Sequence, residues 1–297
     1  MTSLRPKFSG HQTFVFRFGW LEKAYQYTSG GKSFSDADAI VALGVGKNMV
    51  ESINYWSEMT GLVDGGKPSA FGTLLLDEKS GWDPYLEDNA SLWLLHWKLA
   101  SSQTYFTAAT AIFSKLHKPE FSRREVAEAA IHALERHEIK APSENMLIRD
   151  IDCYIRAYAG IRRFEKKKSG EETFGCPLQE LALIQPMNDG EMYRFNIGPK
   201  ITLPAEIIGY AIWDYLNRSQ RRESARIQEI LYHEYSPGQV FMLDENSLLE
   251  AINVLKQKPE WSNHFDFTES AGIAHIHCTL TDGNELLTAY YRGESLQ

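Results

Sequence analysis

Asp83, Glu87 and Asp88 place three carboxylates within six positions, in WDPYLEDNA, immediately ahead of an apolar helical stretch. Oxygen donors grouped in this way suit a hard divalent cation such as Mg2+, which takes oxygen ligands and keeps several of its waters. The same residues suit the positive end of a helix dipole, and Asp88 is the better N-cap, so the metal reading rests on Asp83 and Glu87. A second polar group lies near the start, in FSGHQTFVFRFGW, where Phe8, Phe14, Phe16, Phe18 and Trp20 fall on one parity. That alternation predicts an extended segment with one apolar face, and it puts His11 and Arg17 on the solvent side. An arginine fork there can grip a phosphate; the alternative is an arm carrying ordinary surface charge.

A third group must be positioned by helices. Ser35 to Val63 reads as a helix, a tight turn, a second helix and a strand. Ile40, Val41 and Leu43 give the first helix its apolar stripe, and Gly44 sits where the chain leaving it needs a positive φ. In the second helix Met49, Val50, Ile53 and Trp56 recur at helical spacing and face a core, which pushes Lys47, Asn48, Ser52 and Tyr55 outward. Leu62 and Val63 begin a strand, DGGKPSA turns, and FGTLLLD returns, a hairpin with Lys67 near its tip. Trp56 and Leu62 are expected to be buried between helix and hairpin. The pattern is that of a winged helix-turn-helix, in which the second helix enters the major groove and its first residues reach base edges. Glu51 on the same helix opposes this, because a carboxylate repels phosphate. Protein docking is the alternative use of such a domain.

The remaining elements follow from period and punctuation. A helix with buried Leu92, Trp93, Leu95, His96 and Leu99 follows Asp88. Ser122 and Glu125 form a capping box for a helix that turns Val126, Ala129, Ile131 and Leu134 inward. Beyond Pro142 another helix carries Asp150 and Asp152 in different directions, with Asp152 placed to pair with Arg156. Pro177 suits a first helical turn, Tyr193 to Ile197 a short strand, and Pro204 the start of a helix through Leu216. At the end GIAHIHCTLT alternates as a strand, with ELLTAYY pairing to it; His275 and His277 share a face at a spacing zinc sites use, but no further ligands accompany them. The expected fold is therefore α+β and predominantly helical, with a winged-helix domain over residues 1–100, a helical domain over 101–175 and a mixed α/β domain over 176–297.

A chain of 297 residues, 43% hydrophobic and 24% charged, has the composition of a globular protein of more than one domain. Without an apolar run long enough to span a bilayer or a signal-peptide core at its start, it is expected in the cytoplasm. Three widely spaced cysteines, Cys153, Cys176 and Cys278, encode neither a disulfide framework nor a zinc knuckle. The formal net charge of −8 excludes a generally basic nucleic-acid coat, so DNA binding must be local. Basic residues do cluster at Arg123 and Arg124, from Arg162 to Lys168, and from Arg218 to Arg226. Gly30 to Ser33 imitates the end of a P-loop but lacks the glycine-rich loop that cradles phosphate.

The blocks GHQTFVFRFGWLEKAY, LGVGKNMVESINYW, DPYLEDNASLWLLHW and CPLQELALI resemble a bacterial family that includes SspB, a component of single-strand DNA phosphorothioation and anti-phage systems. The resemblance runs from Phe8 to beyond Asp244. It implies a Mg2+-associated DNA nicking endonuclease acting on double-stranded DNA beside a cysteine desulfurase, an ATP pyrophosphatase and an ATPase. The resemblance carries no catalytic residues over; if a metal serves hydrolysis, Asp83 and Glu87 are the first candidates to hold it because they follow the hairpin, His11 and Arg17 would clamp or protonate, and on the winged-helix reading Lys47, Asn48, Ser52, Tyr55 and Lys67 contact DNA. No familiar nuclease signature accompanies them. The alternatives are a winged-helix transcription regulator without catalysis and a scaffold that docks partner proteins.

Overall fold

The computed structural model describes residues 4–159, 175–218, 221–270 and 272–293. The basic run from Arg162 to Lys168 lies outside them. The chain forms two compact units, Met1–Phe195 and Asn196–Gln297, where the sequence suggests three domains. The reason is strand pairing: β5 (Glu120–Ser122), β6 (Ile184–Met187) and β7 (Met192–Phe195) make one antiparallel sheet in the order β5-β7-β6. A break near residue 175 would cut that sheet from its partners.

In the first unit β1 (Arg5–Pro6) is followed by α1 (Trp20–Ser29), α2 (Ala39–Leu43), α3 (Lys47–Met59), β2 (Val63–Asp64), β3 (Lys67–Pro68) and α4 (Ala70–Leu76). Next come α5 (Asn89–Ala100), β4 (Tyr105–Phe106), α6 (Ala108–Thr110), which runs into a π-helical turn over Ala111–Lys115, then α7 (Arg123–Arg136) and α8 (Glu144–Ala159). α5 begins on the Asp88 side chain, which accepts from the Ala90 N–H, and Leu92, Trp93, Leu95, His96 and Leu99 are all buried as expected. The Ser122–Glu125 capping box opens α7, whose inward residues are Val126, Ala127, Ala130, Ala133 and Leu134; Ala129 and Ile131 lie at the margin of the core. Asp150 and Asp152 diverge on α8. Asp152 pairs with Arg156 at 3.1 Å and Arg123 at 2.9 Å, while Asp150 is buried.

In the second unit α9 (Ala205–Arg218), β8 (Ser224–Arg226), α10 (Ile227–Tyr232), α11 (Pro237–Phe241), α12 (Glu245–Gln257), β9 (Phe265–Ser270), β10 (Ile273–Cys278) and α13 (Asn284–Arg292) follow in order. The strands form an antiparallel sheet in the order β8-β10-β9. Phe265, Ile276 and Cys278 are buried, whereas His275 and His277 take the opposite face, His277 hydrogen-bonded to Thr268 at 2.8 Å. ELLTAYY does not extend the sheet. It is the helix α13, with Leu286 and Leu287 buried at adjacent positions of its inner face.

Candidate nucleic-acid interface

The start of α3 is set by two glycines. Gly44 closes α2 in the left-handed region at φ 67°, its N–H returning to the carbonyls of Ile40 and Val41, and Gly46 is extended at the N-cap. Gly46 offers no side chain to the first amides of a 13-residue helix, and no acidic residue lies in the first turn. The N–H groups of Met49 and Val50 turn to the Gly46 carbonyl, so the amides open to an anion at the positive end of the helix dipole are those of Lys47 and Asn48. Lys47 and Asn48 are exposed at that end. Beneath it Tyr27, Ala39, Leu43 and Val50 form a small core with Phe34 and Val45. This core uses Leu43 alone of the expected α2 stripe, since Ile40 and Val41 are exposed.

Further along α3 the expectation of an outward polar face fails. Ser52 and Tyr55 are buried, because the N-terminal arm lies across them. The arm is pinned at one end by β1, which pairs in parallel with β4, and it then runs over the helix. Tyr55 donates to the Lys7 carbonyl at 3.0 Å and shares a 2.9 Å hydrogen bond with Tyr154, and the Trp56 indole donates to the Phe14 carbonyl at 2.9 Å. Gly10 fits against the Tyr55 ring so closely that a Cβ would stand 2.3 Å from it. What remains in solvent on α3 is a stripe led by Lys47, Asn48 and Glu51, and Glu51 is held by Gln12 at 2.7 Å.

His11 is buried too, not exposed. Its segment turns rather than running straight, with Gln12 at φ 49° and Thr13 at φ 64°, so parity along the sequence does not translate into sides of a strand. The His11 ring stacks on Trp56, accepts from the Thr13 N–H at Nδ1 and places Nε2 3.3 Å from the Asp150 carboxylate. Asp150 also accepts from the Ser9 N–H at 2.8 Å. His11 and Asp150 thus tie the arm to α8 inside the unit. Arg17 is half-buried, with its guanidinium 5.6 Å from the Trp20 ring.

A hairpin follows α3, but it is shorter than the sequence suggests: β2 returns at once as β3, Lys67–Pro68, and FGTLLL is not the returning strand but the body of the helix α4, opened by the Ser69 side chain, which accepts from the Gly72 N–H. Gly65 at φ 55° and Gly66 at φ 77° supply the two positive φ values of a tight two-residue turn, which leaves Lys67 exposed opposite Asp64. Both strands pack beside α1, which also packs on α3. Trp56 and Leu62 are fully buried.

Asp83 organises a loop. Its carboxylate accepts from the N–H of Glu87 at 3.0 Å, the N–H of Asp88 at 3.0 Å and the Ser91 hydroxyl at 2.6 Å. A carboxylate has about four lone-pair sites, so three are committed. Glu87 is exposed. The acidic neighbour of Asp83 is Glu22 on α1, whose carboxyl is pushed up to about 7, chiefly by burial, with the Asp83 charge adding to it. This pairing joins residues far apart in sequence and carries no local signal. Among the described residues no group of three or more His, Cys, Asp or Glu is placed to hold a metal. Asp83 thus spends most of its acceptor capacity on its own loop, which leaves little of it for a cation shared with Glu87.

A magnesium ion-bound SspB crystal structure is similar to this chain at 28% identity and a TM-score of 0.85, covering 98% of this chain and 89% of that one. A second SspB crystal structure gives 29% identity with the same TM-score and coverage. No curated protein sequence matches. Residues 8–291 match the family described as Protein of unknown function (DUF4007). The chain belongs to that family and is SspB-like.

Proposed function

We propose that this chain is the DNA-binding component of an SspB-type phosphorothioation system and that it nicks one strand of duplex DNA with Mg2+. The observation that supports DNA binding is the exposed amino end of α3, where Lys47, Asn48 and their backbone amides face solvent; Lys67 is exposed on the hairpin that follows the helix. With α2, α3 and the hairpin in this order, the region acts as a winged helix. Only the first turn of α3 reaches a base edge, because the arm covers Ser52 and Tyr55. Lys47 and Lys67 hold phosphates, and Asn48 is the side chain with the chemistry to read an adenine. Arg17 keeps a phosphate-gripping role at the margin.

The similarity to a magnesium ion-bound SspB supports the cation. Bound Mg2+ would lower the pKa of a water and stabilise the leaving oxygen of a phosphodiester. In the intact system a cysteine desulfurase, an ATP pyrophosphatase and an ATPase would use the nick, all in the cytoplasm. The test is relaxation of supercoiled plasmid with and without Mg2+, alongside DNA affinity. Relaxation that requires Mg2+ supports the nickase; affinity without relaxation under any divalent metal leaves the second reading, a winged-helix regulator. The commitment of Asp83 to its own loop is the observation that favours that second reading.

A further inference from the structure

The second unit contains a cleft of about 370 Å3 between the segment leading into α9 and the exposed side of α12. Ile201, Leu203, Ile208, Leu243 and Val254 line it, and so does Lys200. Such a volume stands at the small end of pockets that hold organic ligands, and its mostly apolar walls with one cation, Lys200, and one carboxylate, Glu250, at its edge are the usual composition of such a site.

Lys200 is half-buried there, and its surroundings do not complete it. The ammonium donates to the Gly198 carbonyl at 2.6 Å and the Met242 carbonyl at 3.0 Å. An ammonium has three donors, so one remains. Among the described residues no carboxylate lies within ion-pairing distance of it. Asp244, the nearest acidic influence, spends an oxygen on the Ser247 N–H at the start of α12. Burial lowers the Lys200 pKa to about 8, against a smaller opposing effect of Asp244. A cation taken from water without a matching anion is stabilised by any anion that reaches it.

We propose that this cleft binds an apolar carboxylate, its hydrocarbon against Ile201, Leu203, Leu243 and Val254 and its carboxylate on the free donor of Lys200. The single lysine selects a monoanion, since a phosphate dianion would call for a second cation, and the cleft has none. Exposed Glu250 at the same cleft further disfavours a multiply charged anion. Two sources present this chemistry: a free medium-chain carboxylic acid, and the C-terminal carboxylate of a protein chain that ends in apolar residues. The proposal concerns the second unit alone and stands apart from DNA binding.

Binding is expected to be linked to protonation. The ligand holds the ammonium form and raises its pKa, so affinity is highest below about pH 8 and falls as pH rises through that value, by about tenfold between pH 7 and pH 9. The experiment is calorimetric titration of the full chain with octanoate and with a peptide ending in Leu-Leu, using octanamide and the C-terminally amidated peptide as controls. Either acid should bind, the amides should not, and Lys200→Met should weaken binding at least tenfold. The tighter of the two acids identifies the source. Because Lys200 also holds two carbonyls, a folding defect in Lys200→Met would obscure its result; Ile201→Glu, at a fully exposed position of the wall, then decides by repelling the carboxylate. Absence of heat with both acids, equal binding of acid and amide, or unchanged affinity in a folded Lys200→Met or Ile201→Glu would overturn the proposal.

Discussion

At the scale of single residues, the acidic pair Glu22 and Asp83 is the most informative part of the first unit. Glu22 has its carboxyl raised to about 7 against an ordinary value of 4.5, so between these values the folded chain holds a proton that the unfolded chain has released. Stability from this group is therefore greatest below about pH 4.5, declines as pH rises to 7, and is constant beyond. Glu22→Gln should stabilise the protein at pH 8 by on the order of 1 to 3 kcal/mol and have little effect at pH 4.5, as urea melts at the two pH values would show. Asp83→Asn replaces an oxygen that accepts loop hydrogen bonds with a donor, and should cost about 1 to 3 kcal/mol, whereas Glu87→Gln at the exposed neighbour should stay within about 0.5 kcal/mol. Equal melts for the two would show that the loop does not depend on Asp83. The sequence displayed Asp83 and Glu87 as neighbours in a cluster, yet it held no sign that the first faces inward. Its partners on the loop are local, but the burial that commits it comes from the fold around it.

The element that matters most is α3 with the arm laid across it. Its inner stripe of Val50, Ile53 and Trp56 was legible from helical spacing alone, and so was Leu62 behind it. The burial of Ser52 and Tyr55 was not, because the covering segment comes from residues 7–14 and periodicity reports only which side of a helix is apolar. Gly10 was the one local hint: a glycine among aromatics marks a close approach, here to the Tyr55 ring. Gly10→Ala should force the arm off the helix at a cost of about 1 to 3 kcal/mol, seen as faster proteolysis near the N-terminus and an earlier melt. Trp56→Ala should cost about 3 to 5 kcal/mol in the same melts, since it empties the centre of the cluster that joins arm, α3 and α8. The buried His11–Asp150 pair escaped the sequence for the same reason as Ser52, as its two members lie in the arm and in α8. By contrast the caps, Asp88 on α5 and Ser122 with Glu125 on α7, depend on neighbours a few residues away and were readable in full.

For the whole molecule, the division at Phe195 and Asn196 places the elements proposed to meet DNA in one unit and the Lys200 cleft in the other. The α+β, mainly helical character was visible in the sequence, but the division into two units was not, because β5 finds its partner β7, itself paired with β6, across more than sixty residues of chain. The central claim is that duplex DNA meets the first turn of α3 and nothing further along that helix. It is tested most directly by measuring DNA affinity across a salt series for the wild type, Lys47→Ala and Ser52→Ala. Lys47→Ala should weaken binding on every sequence and reduce the slope of log affinity against log salt by about one, while Ser52→Ala, buried under the arm, should leave both affinity and slope as they are. A Lys47→Ala variant that binds with wild-type affinity and slope would contradict the account.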